Sequence, residues 1–295
     1  MIKYFFNNNN RKMKLLILLI PFTLCYSPDV SNHTFVLSLA ELASNAYHNY
    51  TEKDTWRNTT RIWNYFESFG WDQDEGLKIH TSYHTQLHVV AITTKGTTLM
   101  SRKDKESDNL MFGCNYDPDN LDNSLPELYI TKLLDIYNNL TIRFPFYSFI
   151  FVGHSLGSAL SSVAAMKTCN SAVSFSGPGE LLFASRIKFN HQCGNKHDYT
   201  IHHIGYEFDP IFTGTCGLIC KTFGYNIDSK CHHGLVYTLK NNDKDNDIDI
   251  YSPDAKNGLY IYYHTTTYLI DHVLKTTKNI PIGIPEENCQ EKCKD

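Results

Sequence analysis

The sequence lacks two features: the basic surplus of a nucleic-acid-binding protein, and an N-terminal apolar run long enough for a transmembrane helix. Its 295 residues carry 27 Lys and Arg against 31 Asp and Glu, a formal net charge of −4, so it has no basic surplus with which to hold nucleic acid. It also lacks a long apolar run near its N-terminus: residues 15–24 are interrupted by Pro21 and Thr23 and are too short for a comfortable transmembrane helix. The length suits one large α/β domain with a substantial core.

The short apolar run is typical of a targeting segment. A basic flank at residues 11–14 precedes it, as in a secretory signal peptide. We expect cleavage near residues 25–27, although no clean small-residue cleavage site is present. An uncleaved short membrane anchor is the alternative. Residues 1–27 are therefore predicted to be a signal peptide or signal-anchor, and residues 28–295 a single domain.

Glycosylation sequons and cysteines also predict the secretory route. Four N-x-[ST] sequons follow the apolar run, at Asn32, Asn49, Asn58 and Asn139. Of nine cysteines, eight remain beyond Cys25, which permits four disulfides in an oxidising compartment. A zinc site is the competing interpretation, because His232 and His233 adjoin Cys231. The spacing matches no standard zinc finger, and we expect no metal.

The densest functional signal is a nucleophile elbow. Residues 146–152 form an apolar and aromatic run that predicts a buried strand. Gly-His-Ser-Leu-Gly follows at residues 153–157, and then a stretch of small residues that predicts a helix. In this strand–turn–helix context the G-x-S-x-G pattern presents a serine nucleophile, Ser155, on a strained turn. A purely structural turn is the alternative.

The order of residues along the chain indicates the catalytic partners of Ser155. In hydrolases with this elbow the nucleophilic serine comes first, the catalytic acid second and the catalytic histidine third. Asp209 follows a predicted strand at residues 199–206 and precedes a proline, although Asp-Pro is also a common turn. His264 stands where a strand-like run at residues 259–263 meets a predicted helix, so we prefer it to His232, His233 and His272.

An ester hydrolase also needs backbone N–H groups that hold the oxyanion. Leu156, directly after the serine, supplies one. The strand predicted at residues 89–92 ends in Lys-Gly-Thr, which makes Thr97 the candidate for the second, although such a tripeptide is often a surface turn.

Other segments are predicted more coarsely. Residues 34–50 have the apolar spacing of an amphipathic helix, residues 56–69 read as a second helical or irregular stretch, and residues 77–83 alternate like an antiparallel strand. Residues 101–124 are polar and irregular around an apolar island, Leu110-Met111-Phe112. We expect a lid that covers the cleft in water and contacts lipid when open; a hydrophobic pin to the core is the alternative.

With these motifs placed, the chain resembles the class 3 (fungal-type) α/β-hydrolase lipases, and within them the autophagy-related vacuolar phospholipases. The matching stretches cover nearly all of the chain beyond residue 27: residues 39–47, Lys95-Gly-Thr97, residues 102–105, residues 108–112 with Cys114, residues 153–157, Asp209-Pro210, residues 214–216, Cys231-His232, and His264 with residues 269–271. In two respects the chain departs from the family pattern. Ser158 stands where a glycine is usual. We also expect this chain to lack the polar C-terminal tail of many relatives, and its targeting or regulation to differ accordingly.

The resemblance implies a Ser155/Asp209/His264 triad that hydrolyses phospholipid or triacylglycerol esters without any cofactor. It implies a lipid surface as partner, and the lumen of the vacuole or another secretory compartment as location. The alternatives are a secreted general or carbohydrate-ester esterase on the same fold, and a lipid-binding protein without catalysis.

Overall fold

The structure, a computed structural model, describes residues 26–73, 76–98, 101–114, 125–187, 200–240, 259–286, 288–290 and 293. Most of the predicted targeting segment, Cys193 and the acidic stretch at 241–249 lie outside these residues. Within the described part, no helix combines the length and the apolar character that crossing a bilayer requires.

A single mixed sheet organises the described residues. Its eight strands lie in the order of the chain, and β3 to β7 are parallel, whereas β1, β2 and β8 pair antiparallel at the two ends. The strands are β1 (Asn64–Phe69), β2 (Ile79–His84), β3 (Val89–Thr94), β4 (Ser148–His154), β5 (Ser171–Phe175), β6 (Ile201–Tyr206), β7 (Leu235–Leu239) and β8 (Ile284–Pro285). This is the predicted α/β class.

Helices cover both faces of the sheet, since two separate apolar clusters form there. A parallel sheet needs this double cover because its strands are apolar on both sides. The helices are α1 (His33–Asn45), α2 (Arg102–Phe112), α3 (Leu125–Arg143), α4 (Leu156–Thr168), α5 (Leu181–Arg186), α6 (Gly217–Thr222), α7 (Leu259–Tyr262) and α8 (Thr266–Tyr268), which continues as a π-helix over Leu269–Leu274.

The expectation of a helical or irregular stretch at residues 56–69 is wrong over its second half, which is strand β1. The apolar side chains Phe66 and Phe69 are three apart, a helical spacing. A β-bulge between Tyr65 and Glu67 explains it, since one extra residue shifts the alternation of a strand. Phe66 and Phe69 can therefore both pack against the same core cluster.

The expected lid role of Leu110-Met111-Phe112 is contradicted by the described part of residues 101–124, whereas residues 115–124 lie outside the described residues. Residues 102–112 form the regular helix α2, and Ser101 caps it by accepting a hydrogen bond from the Asp104 amide. Met111 and Phe112 are fully buried in the core cluster beneath the sheet. Leu110 is half-buried, and none of the three lines the cavity at Ser155. The island is a structural pin, the alternative interpretation.

A strand predicted at residues 259–263 is likewise wrong, because residues 259–262 form helix α7. The sequence is rich in residues that favour strands, yet the segment is helical in the fold. This is a tertiary override of local preference.

Disulfides hold the described chain together, as the cysteine count predicts. Bridges join Cys114 to Cys293, Cys216 to Cys220 and Cys231 to Cys289, and Cys169 is also disulfide-bonded. All four sequon asparagines are accessible at least in part. Asn32 caps α1, Asn49 and Asn58 lie in loops, and Asn139 lies on α3. Their glycosylation stays a prediction.

Candidate active site

Ser155 lies at the carboxyl end of β4 on a strained turn. Its φ of 57° and ψ of −130° are unfavourable for a residue with a side chain. Its amide donates to the Phe175 carbonyl over 3.1 Å, which ties the turn to β5. A Cβ at Gly157 would meet the Thr94 and Lys95 carbonyls, and one at Gly153 would meet the backbone at Gly157. Both glycines of the motif are therefore required by close approach.

The structure brings the three predicted side chains together. His264 Nε2 lies 2.9 Å from Ser155 Oγ, and its Nδ1 lies 3.0 and 3.1 Å from the two carboxylate oxygens of Asp209. Asp209 is fully buried, and its Oδ1 also accepts from the amides of Ile211 and Phe212. These bonds hold the carboxylate in place, so the imidazole can present an unprotonated Nε2 to the serine hydroxyl.

The two expected oxyanion donors border the same place. Leu156 begins α4, and the first amides of a helix have no acceptor within the helix. Thr97 lines the cavity next to Ser155. Its hydroxyl hydrogen-bonds Asp108 Oδ2 over 2.6 Å, so its side chain is held at this point.

Helix α2 anchors the strand-end segment that carries Thr97. Asp104 pairs with the buried Lys95 over 3.1 Å and accepts from the Thr98 amide over 2.9 Å. Asp108, one turn later, holds Thr97. Burial, with the nearby charge of Asp104 as a smaller contribution, raises the pKa of Asp108 to about 8, although the hydrogen bond from Thr97 and the charge of Lys95 act to lower it. Two acidic residues of the expected lid, Asp104 and Asp108, therefore hold the segment that carries Thr97.

A second histidine, His154, holds the backbone of His264 by a hydrogen bond. His154, the variable residue of the elbow motif, is buried, and its Nε2 lies 2.7 Å from the His264 carbonyl. A carbonyl can only accept, so Nε2 carries the proton, and Nδ1 accepts from the Tyr47 hydroxyl over 2.8 Å. Burial lowers the pKa of His154 well below its ordinary value, so it stays neutral and this arrangement is fixed.

Tyr47, His154, Asp104 and Asp108 were not assigned roles by sequence reasoning. All four lie within stretches that carry the family resemblance, which was the available signal. No periodicity or spacing links Tyr47 to a histidine 107 residues later. The contact exists only because α1 packs against β4 in the folded sheet.

The cavity beside Ser155 has a volume of about 270 Å³. Apart from the polar groups at the triad, much of its wall is apolar, formed by Ile211, Tyr225, Ile227 and Ile261. No Lys or Arg is among its described lining residues. Such a wall suits a hydrocarbon chain better than a charged group.

The histidines set aside in the prediction lie elsewhere. His272 is exposed. His232 is buried, 3.2 Å from Glu286 Oε2, and its ring lies 4.7 Å from that of His203, which pairs with Glu180. Neighbouring Cys231 is committed to a disulfide. Among the described residues no group of three or more potential ligands is placed to hold a metal.

The profile of the family described as Lipase (class 3) matches residues 55–211, which include the elbow and Asp209. The chain belongs to the class 3 lipases. His264 lies beyond the matched range, and its assignment rests on the geometry above.

Curated relatives of this class 3 lipase include ATG15 proteins, which carry the name of a lipase. The Saccharomyces cerevisiae (strain YJM789) protein is 31% identical over 248 residues, which are 71% of this chain and 48% of that protein. The Eremothecium gossypii protein is 29% identical over 311 residues, 90% of this chain and 54% of that one. The chain thus spans about half the length of these relatives.

Solved structures similar to this lipase are also fungal lipases. A triacylglycerol lipase from Penicillium expansum is 15% identical, with a TM-score of 0.46, over 71% of this chain and 80% of that one. Lipase II from Rhizopus niveus is 15% identical, with a TM-score of 0.45, over 70% and 80%.

Proposed function

We propose that this class 3 lipase hydrolyses carboxylic esters of lipids with Ser155 as nucleophile. The observation that carries the proposal is the continuous hydrogen-bonded line from Ser155 Oγ through His264 to the buried Asp209, at the end of an apolar cavity. Nucleophile, base and orienting acid each stand within reach of the next, which is the geometry that acyl transfer requires.

The steps follow from these positions. His264 takes the proton of Ser155 as its Oγ attacks the ester carbonyl, and Asp209 stabilises the imidazolium that forms. The amides of Leu156 and Thr97 stabilise the negative oxygen of the tetrahedral intermediate. His264 then protonates the leaving alcohol, and water releases the fatty acid from the acyl-enzyme by the same route. No cofactor takes part in this scheme.

A lipid ester is the substrate that the cavity favours, because its apolar wall can receive an acyl chain. A series of p-nitrophenyl esters tests this against the general-esterase alternative. We expect activity to extend to long acyl chains and to phospholipid or triacylglycerol vesicles. Confinement to short, soluble esters would refute a lipase.

The nucleophile is tested with a fluorophosphonate probe, which also addresses the non-catalytic alternative. Ser155→Ala should lose labelling and ester hydrolysis while it remains folded. Ser158→Ala is the matched control: this serine lies in the first turn of α4, and its buried hydroxyl has no hydrogen-bond partner among the described residues. Normal turnover by Ser155→Ala, or absence of labelling in the unchanged protein, would refute the proposal.

We further propose that the protein works in an oxidising lumen of the secretory pathway, such as a vacuole, on intravacuolar membranes. The described disulfides support this proposal, as do the accessible sequons and the resemblance to autophagy-related lipases. Protein purified from the cells that naturally make it should lose mass when it is treated with an endoglycosidase. Full alkylation of its cysteines without reductant would contradict it.

A further inference from the structure

The segment of residues 216–225, here called the α6 loop, exposes two large apolar side chains. Leu218 is 82% exposed and Phe223 is 62% exposed. The other side of the same loop forms part of the cavity wall, through Cys220 and Tyr225. Leu218 and Cys220 are two positions apart on α6 and therefore point in nearly opposite directions. The exposed pair thus lies directly outside the wall of the candidate active site.

The loop is held in place by its contacts. The Cys216–Cys220 disulfide closes its first turn. From α2, Lys105 Nζ donates to the Phe223 carbonyl over 2.8 Å, and Asn109 donates to the Gly224 carbonyl over 3.1 Å. Asn109 also accepts from the Asn226 amide over 2.6 Å. Its apolar side chains therefore stay exposed although burial would be favourable, which is typical of a surface that meets an apolar partner.

Basic side chains surround the exposed pair. Lys221 lies between them on the loop and is itself exposed, paired with Asp228 over 3.5 Å. Lys105 contributes a second ammonium group, 2.8 Å from the Phe223 carbonyl and 4.9 Å from the centre of the Tyr225 ring. The loop thus has two ammonium groups beside its apolar side chains, although the chain as a whole carries a net charge of −4. This local charge complements an anionic surface.

We propose that the α6 loop is the surface by which the enzyme docks onto an anionic phospholipid membrane. Leu218 and Phe223 enter the boundary of the acyl chains, and the lysines face the headgroups. The inner side of the same loop then lies where an acyl chain leaves the bilayer for the cavity. The proposal rests on lipid ester hydrolysis as the function, and it replaces the lid expected from Leu110-Met111-Phe112 with a different, fixed surface.

The test measures vesicle binding separately from hydrolysis. In a Ser155→Ala background, which leaves the lipids intact, flotation with phosphatidylcholine–phosphatidylserine vesicles compares the parent with Leu218→Ser/Phe223→Ser. We expect the double variant to bind about 100-fold more weakly, since each large apolar side chain contributes about tenfold or more.

The matched control is Ile142→Ser/Phe146→Ser. These side chains are 79% and 82% exposed, but Phe146 precedes β4 whereas Ser155 follows it. The seven residues of β4 separate the two ends of the sheet by roughly 20 Å at about 3.3 Å per residue. The control should bind vesicles as the parent does. With Ser155 restored, dissolved p-nitrophenyl butyrate reports whether each variant is folded with its cavity intact.

Three outcomes would overturn the docking surface. They are absence of vesicle binding by the parent, equal weakening by the control, and undiminished binding by the α6 loop variant. Equal binding of the parent to vesicles of phosphatidylcholine alone would refute the anionic preference, as would an unchanged affinity of Lys221→Gln for mixed vesicles. Failure to hydrolyse any ester would refute the proposed function and leave the binding result standing.

Discussion

The hydrogen-bonded line from Tyr47 through His154 to the His264 carbonyl predicts a specific pattern of coupling. His154→Phe keeps a ring of similar shape but leaves two buried groups unpaired, the Tyr47 hydroxyl and the His264 carbonyl. Tyr47→Phe leaves one, the Nδ1 of His154. Each such group costs about 1–3 kcal/mol. The first change should therefore destabilise the protein by about 2–6 kcal/mol and the second by about 1–3 kcal/mol.

The double variant should be less destabilised than the sum of the two single variants. With both residues changed to Phe, the His264 carbonyl is the one of these three groups that remains unpaired. The free energies of unfolding, measured in urea, should then show a coupling of about 2 kcal/mol or more. Additive effects would mean that the Tyr47–His154 bond contributes nothing.

In the same three variants, kcat should follow a different pattern from the free energy of unfolding. The His264 carbonyl stays unpaired in the double variant, so kcat on p-nitrophenyl butyrate should fall with His154→Phe and should not recover. A fall of about tenfold or more is expected, because a displacement of about 1 Å at a catalytic group can cost about 100-fold.

The matched control is His202, a buried histidine on β6 whose Nδ1 lies 2.9 Å from the Tyr237 hydroxyl. Its Nε2 lies 3.0 Å from the hydroxyl of Thr200, and the residue does not line the cavity. His202→Phe should lower stability to a similar degree and leave kcat unchanged. Equal kinetic losses from His154→Phe and His202→Phe would refute a positioning role.

Two further predictions follow from buried groups away from Ser155. Phe112→Ala should cost about 3–5 kcal/mol of unfolding free energy and reduce hydrolysis of soluble and vesicular esters alike; a loss on vesicles only, at unchanged stability, would restore the lid. The second prediction concerns the cluster of Glu180, Glu286 and His232. Burial alone would raise the pKa values of the two glutamates and lower that of His232. Their hydrogen bonds and charges act in the opposite direction and prevail, so the pKa values of the glutamates are lowered and that of His232 is raised. The carboxylate contributions are lost as pH falls below about 4.5, and the histidine contribution is lost as pH rises beyond about 6.5. Melting temperature should therefore peak between these values, and His232→Gln, but not His272→Gln, should flatten its fall above pH 6.5.

The elbow and its neighbours were predictable because their constraints are local. A buried strand, two glycines and a small-residue helix are all encoded within residues 146–166. The order of Ser155, Asp209 and His264 along the chain then reduced the choice of partners, and the geometry unites these three residues.

What could not be predicted depends on long-range packing. Phe66 and Phe69 suggest a helix because a bulge breaks the alternation of β1. Residues 259–262 favour a strand by their local sequence but form helix α7 in the fold. Leu110-Met111-Phe112 suggested a lid within a polar segment, and only the orientation of α2 shows that Met111 and Phe112 enter the core. The environment of a side chain, unlike its chemistry, is not a local property.

The Cys114–Cys293 bridge encloses the catalytic residues in a covalent ring, because Ser155, Asp209 and His264 all lie between its two ends. A single proteolytic cut anywhere inside this ring leaves the pieces attached, so the nicked chain would separate only under reducing conditions. During synthesis Cys114 has to wait for 179 further residues before its partner exists, whereas Cys216 and Cys220 can join within four. The Cys216–Cys220 disulfide in the wall of the cavity can therefore form early, whereas the Cys114–Cys293 ring closes only after every catalytic residue has been made.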